Sequence, residues 1–249
     1  MSGHVLITGA NRGLGYELLK VFHANNYVVF PLIRNNTALQ RIREEFSERC
    51  YPIEGDVGLD SCKKNIELTI KKYTNKIDIL INNAGIPGVE YQIDKVNTSE
   101  VYDLFNIHCL GIIRTVQATL PFLFNSSNPR IINVSSRLGS LSKMASGEFK
   151  DRHFSYSYRI AKAAQNMLSI CLHNELNSKG IHVSVIHPGR LKTDSGSSDA
   201  DMEAFEAAEL IFRWIQTLNL TFRTLSTKIG RIFLSSCRIK PWNTRKAKE

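Results

Sequence analysis

Cysteine is scarce: Cys50, Cys62, Cys109, Cys171 and Cys237 are odd in number, widely scattered and form no C-x-x-C pair. That excludes a cysteine zinc site and paired-thiol redox chemistry, and leaves reduced core or surface thiols. Long apolar runs are missing too, none approaching the roughly 20 residues of a membrane-spanning helix. The N-terminus enters a β-type run at His4 without a basic and then apolar leader, so the chain is expected to stay in the cytosol, with no membrane partner. Positive charge is in excess, 32 Lys and Arg against 23 Asp and Glu, a net of +9. It lacks the aromatic interleaving of a nucleic-acid stripe: Lys63, Lys64, Lys71 and Lys72 share one helix, and Lys240, Arg245, Lys246 and Lys248 crowd the tail. Solvated surface is the better reading, and no nucleic-acid partner is expected.

What is present is an alternation. Runs rich in β-formers at His4 to Thr8, Tyr27 to Ile33, Tyr51 to Ile53, Ile77 to Ile81, Arg130 to Val134, His182 to Ile186 and, weakly, Arg231 to Leu234 are separated by helical periodicity. The helical stretches are Gly15 to Asn25, Thr37 to Glu48, Ser61 to Tyr73, Ser99 to Phe124, Ser155 to Asn177 and Asp199 to Thr217. Such alternation predicts an α/β fold, one Rossmann-like doubly wound domain over 1–249 with a parallel sheet of about seven strands. Its ligands belong at the carboxyl ends of the strands.

Chemistry-bearing residues gather at those ends. The first strand runs into Gly9-Ala10-Asn11-Arg12-Gly13-Leu14-Gly15, a glycine turn leading into a helix. Gly9 permits a tight turn, Gly13 lets backbone approach a pyrophosphate, and Gly15 allows close helix-to-strand packing, so a dinucleotide fits. The fourth strand ends in Asn82-Asn83-Ala84-Gly85, the fifth in Ser135-Ser136 and the sixth in Pro188-Gly189. Tyr158 and Lys162 are four apart on a predicted helix and share a face. An ammonium beside a phenol favours the phenolate, so a group of pKa about 10 is expected to fall toward the range of a usable acid.

In order and spacing, Thr8-Gly9 through Gly15, Asp56-Val57, Asn82 to Gly85, Ser135-Ser136, Tyr158 to Lys162 and Pro188-Gly189 through Thr193 resemble the short-chain dehydrogenase/reductase family. Within it, Tyr158 to Ala164, His187 to Asp194 and Pro241-Trp242 look like the branch of C-factor and sniffer-type carbonyl reductases. The resemblance implies that Tyr158 is the general acid, that Lys162 tunes it and holds the nicotinamide ribose, and that Ser136 hydrogen-bonds the substrate carbonyl. It also implies cofactor contacts from Gly9, Asn11, Arg12, Gly13, Leu14 and Gly15, from Asp56 and Val57 toward adenine, and from Asn83, Ala84 and Gly85 beside the adenosine ribose. Pro188, Gly189 and Thr193 would border the nicotinamide. Residues 1–125 would then mainly bind cofactor, and 126–249 would carry the catalytic residues and a substrate lid. Relatives commonly form homodimers or homotetramers.

No acidic residue lies between Pro31 and Thr37 to bind a ribose 2′-hydroxyl; Arg34 is there instead, with Arg12 in the glycine turn. Two guanidinium groups suit a 2′-phosphate, so NADP(H) is expected over NAD(H). Two departures stand out. His108 occupies the position, three before Gly111, where the family usually has an asparagine that anchors a relay water; Asn106 is expected to point elsewhere. Tyr158 follows Ser136 by 22 residues, against about a dozen in most relatives, so a segment around Lys143 to Phe154 loops out. Its Phe149, His153 and Phe154 either line a lid or pack on the surface. Asp194 to Asp199 reads as a polar lid before the apolar helix. The leading function is NADP(H)-dependent reduction of a carbonyl to an alcohol; the alternative is a weakly active or inactive NADP(H)-binding regulatory protein.

Overall fold

The computed structural model of the chain describes residues 3–192 and 200–217. In chain order the elements begin β1 (His4–Thr8), α1 (Gly13–Ala24), β2 (Val28–Ile33), α2 (Asn36–Glu45), β3 (Ile53–Glu54), α3 (Ser61–Tyr73) and β4 (Ile79–Asn82). There follow α4 (Thr98–Phe105), a π turn (Asn106–Leu110), α5 (Gly111–Leu123), β5 (Arg130–Val134), the short α6 (Leu141–Ala145), α7 (Tyr156–Leu176) and β6 (His182–Ile186). The described chain ends with β7 (Leu191–Lys192), β8 (Met202–Glu203) and α8 (Ala204–Thr217).

Six strands pair in parallel in the order β3-β2-β1-β4-β5-β6, as the alternation predicted. The expected strand Arg231 to Leu234 and the polar segment Asp194 to Asp199 lie outside the described residues. A two-stranded parallel pair, β7 with β8, was not anticipated from the sequence; two residues per strand are too few to show a period. The single helix expected over Ser99 to Phe124 is broken by the π turn, which carries His108, because continuous apolar patterning does not register one added residue per turn.

Strand alternation sorts the core into two layers. Val5 and Ile7 of β1, Ile79 and Ile81 of β4 and Ile132 of β5 face α1 and α8, where Phe22 and Phe212 meet edge to face at 5.0 Å. Leu6, Leu80 and Ile131 face the other way, toward α3 and α5. Every one of these strand residues is essentially inaccessible to water, which accounts for the continuous apolar runs of a sheet covered on both sides. The order reverses between β1 and β4, both parallel neighbours emerging at the same edge, and opens a crevice above them.

Candidate active site

A cleft of about 1150 Å³ occupies that crevice, and every site residue expected from the sequence lines it, Thr193 alone falling outside the described residues. Gly9 has φ +66°, and a Cβ there would lie 2.8 Å from the Ala84 Cα. A Cβ on Gly15 would lie 2.3 Å from the Gly9 carbonyl oxygen, so α1 can begin this close to β1 only with glycine. The Thr8 hydroxyl accepts from the N–H groups of Asn83 (3.0 Å) and Ala84 (2.9 Å), tying the ends of β1 and β4 together. Asn83 Nδ2 in turn donates to the carbonyls of Thr8 and Gly9. The result is a cradle with no side chain at its floor, opening on the N-terminus of α1, and its chemistry fits the phosphates of a dinucleotide.

Arg34 projects from the end of β2, 69% exposed, with Nη1 3.6 Å from the Asp56 carboxylate after β3. Asp56 also accepts from the Gly58 N–H at 2.8 Å. One residue the sequence reading missed stands nearby: Arg41 of α2 donates to the Asn11 carbonyl at 2.7 Å and packs over the Tyr16 ring. Nothing local in Arg41 signals that contact, which bridges 30 positions.

At the other end of the cleft, Ser155 caps α7 by accepting from the N–H of Tyr158 at 3.3 Å, which places the phenol in the first helical turn. Ser136 lies two residues beyond β5, its Oγ accepting from the Leu138 N–H at 3.2 Å and hydrogen-bonded to the Tyr158 phenol. Lys162 is 4% exposed; its Nζ donates to the Val134 carbonyl (3.0 Å) and to Gln165 Oε1 (2.8 Å), and lies 5.6 Å from the Tyr158 ring centre. The expected lowering of the Tyr158 pKa by Lys162 is not what the fold produces. Burial pushes the phenol up to about 12, with the Ser136 hydrogen bond opposing. Burial likewise brings the Lys162 amine down to about 7, so the lysine carries a weakened charge.

The lysine stands at one end of a buried polar chain. Thr115 of α5 donates to Asn82 of β4 at 2.7 Å, Asn82 to Asn133 of β5 at 2.8 Å, and Asn133 to Ser169 of α7 at 2.8 Å. Ser169 donates to the backbone of Gln165, which holds Lys162. Asn133 and Ser169 escaped the sequence reading because an isolated Asn in a strand and Ser in a helix are uninformative until their side chains meet.

His108 is 2% exposed beside Gly85, its Nε2 2.9 Å from the Ile86 carbonyl and its Nδ1 without a hydrogen-bond partner. The Ile86 N–H also faces Nε2, at 3.4 Å, but the shorter contact is to the carbonyl, which can only accept; it favours the tautomer with the proton on Nε2, in which Nδ1 is an unpaired acceptor. Burial, followed by the charge of Lys162, lowers its pKa to about 3, so the imidazole is neutral at physiological pH. Asn106 points away, as expected, donating to the Gly58 carbonyl and accepting from Arg114. The long connection after Ser136 forms α6 and turns, and Phe149, His153 and Phe154 all line the cleft instead of packing elsewhere on the surface. The His153 ring lies 4.5 Å from that of Tyr91, the two planes tilted by 39°.

Among the described residues no helix is long and apolar enough to cross a membrane, and no group of three or more His, Cys, Asp or Glu could hold a metal ion. The family description "short chain dehydrogenase" matches residues 3–204. The C-signal protein of Myxococcus xanthus is 34% identical over 146 residues, covering 59% of this chain and 84% of that protein. The NADPH-bound carbonyl reductase from chicken fatty liver superposes with a TM-score of 0.77 at 26% identity, covering 85% of this chain and 90% of the other. The carbonyl reductase Sniffer of D. melanogaster gives 0.76 at 27% identity over 86% and 91%. Taken with the glycine cradle and the Ser, Tyr and Lys that share its cleft, these matches establish that the chain belongs to the short-chain dehydrogenase family of oxidoreductases.

Proposed function

We propose that the protein reduces the carbonyl of a small aldehyde or ketone to an alcohol, using NADPH. The observation that carries this reading is the convergence of Ser136, Tyr158 and Lys162 on the same cleft as the glycine turn. Gly9, Gly13 and Gly15, with Asn11, Leu14 and the N-terminus of α1, would hold the pyrophosphate. Asp56 and Val57 would meet the adenine, Asn83 to Gly85 and Lys162 the two riboses, and Pro188, Gly189 and Thr193 the nicotinamide. Arg12 and Arg34, both on the cleft wall, favour a 2′-phosphate. The NADPH bound to the chicken carbonyl reductase supports the same choice.

When bound, the reduced nicotinamide would supply a hydride to the carbonyl carbon and leave oxidised. The chain supplies the rest. Ser136 Oγ and Tyr158 Oη donate to the carbonyl oxygen, on which negative charge grows as its double bond opens, and Tyr158 gives that oxygen its proton. A phenol held at about 12 is still a stronger acid than an alcohol, so transfer to the developing alkoxide runs downhill. The buried Lys162, with a pKa near 7, can return a proton to the phenolate at neutral pH. The same reading makes residues 1–249 one cytosolic domain and the assembly a homodimer or homotetramer, which size-exclusion chromatography with light scattering checks.

The test is NADPH consumption, followed by absorbance, across a panel of aldehydes, ketones, quinones and diketones, with wild type and Tyr158→Phe compared. Turnover that the substitution abolishes supports the reading. Tight NADPH binding without turnover on any carbonyl favours a regulatory nucleotide-binding protein, a second reading motivated by the neutral His108.

A further inference from the structure

We propose that the substrate carries a carboxylate beside an aromatic or apolar body, and that Arg137 binds this carboxylate at the mouth of the cleft. The inference rests on the carbonyl-reductase reading and deepens it. Arg137 immediately follows Ser136 and opens a short 3-10 turn, Arg137–Gly139, so its side chain lines the cleft next to the hydroxyls proposed to grip the carbonyl. Its guanidinium lies 5.6 Å over the Phe149 ring, and Phe149 meets Phe154 edge to face at 5.9 Å. Ile86, Pro87 and Val89 add apolar residues to the lining of the same cleft.

Charge at this end is unbalanced. Arg137 and Lys143 share one carboxylate, that of Glu148. Among the described residues that line the cleft, Asp56 is the sole carboxylate, and it stands against Arg34 at the far side of the sheet. The excess is felt locally: burial, followed by the charges of Arg137, Lys162 and Lys143, holds His187 on the cleft wall down to about 4. Glu148 engages Nη2 of Arg137, and a guanidinium has five N–H donors. Arg137 is 41% exposed, so it retains donors for a second oxyanion at little cost in desolvation.

The experiment compares kcat/KM for para-carboxybenzaldehyde and para-methylbenzaldehyde, which differ in charge and little in shape, and titrates para-(hydroxymethyl)benzoate calorimetrically into the protein. Wild type is expected to prefer the carboxylate by about tenfold, the worth of one charged hydrogen-bonded contact. Arg137→Ala should erase that ratio and weaken the titrated binding. Glu148→Gln, which removes the competing carboxylate, should raise both. A merely structural role for the arginine would lower turnover of the two aldehydes alike and leave the ratio unmoved. A wild-type ratio of one or below, unchanged in both variants, overturns the proposal while Tyr158-dependent turnover leaves the reductase reading intact. If no aldehyde is turned over, the reductase reading fails, and the opposite responses of the two variants in calorimetry still decide the carboxylate site.

Discussion

The His108 ring stands edge-on to the Tyr158 ring, their centres 5.6 Å apart and their planes at 89°, so the residue that departs from the family pattern packs against the proposed acid. With a pKa near 3 it does not titrate in the working range. His108→Leu should leave the Ile86 carbonyl without its side-chain donor and cost about 1–3 kcal/mol in urea unfolding. His108→Asn, which can still donate to that carbonyl, should recover most of the loss. An inflection in the pH–rate profile that disappears in His108→Asn would contradict the neutral imidazole.

Tyr158→Phe removes the proton donor and little volume. We expect kcat to fall by roughly 10²- to 10⁴-fold with KM for the carbonyl changed far less. A comparable loss in KM alone would mean that the hydroxyl binds substrate without donating in the transition state.

Burying Lys162 costs stability in a pH-dependent way. Its folded pKa of about 7 lies below the ordinary 10.5, so between these values the unfolded chain holds the extra proton and stability rises with pH. The penalty is complete below about pH 7 and relieved as pH approaches 10.5. Lys162→Met should therefore stabilise the fold more at pH 6 than at pH 9 while reducing turnover, as denaturant midpoints at the two pH values will show. A midpoint difference that grows with pH would have the wrong sign.

Arg34→Ala should weaken NADPH binding by about tenfold and NADH binding much less, because only the former presents a 2′-phosphate to the lost guanidinium. Fluorescence titration with both nucleotides measures the two effects. Equal losses would assign Arg34 to its ion pair with Asp56 alone.

Gly15→Ala forces a Cβ to within 2.3 Å of the Gly9 carbonyl oxygen and 2.5 Å of Asn83 Nδ2. Backbone must move, at about 1–3 kcal/mol, and the same movement distorts the phosphate cradle. The expected outcome is a lower thermal midpoint together with lost NADPH binding. Wild-type affinity in this variant would show that the cradle is not where the pyrophosphate sits.

Much of the site was legible because each motif lies where a strand run stops. The register of β1 with β2 and β4 then brings Thr8 and Gly9 to Asn83 and Ala84, as the apolar patterning implies. The Thr115, Asn82, Asn133, Ser169 chain was not legible, since each link joins residues 33 to 51 positions apart through side chains with no local signature. Lys143 to Phe154 was recognisable as extra length, yet its sharing of Glu148 between two cations and its aromatic pair on the cleft depend on how the segment folds back.

The sequence by itself determined the parallel α/β order, the glycine turn, and the placing of Ser136 just past a strand and of Tyr158 and Lys162 in the first two turns of a helix. These follow from local period, chain reversal and spacing, which are written in neighbouring residues. The tertiary structure decided the protonation of those groups: Tyr158 pushed up to about 12, Lys162 drawn down to about 7 and His108 kept neutral. A charge is stabilised or penalised by the water it loses on burial, and that loss is set by side chains arriving from distant parts of the chain.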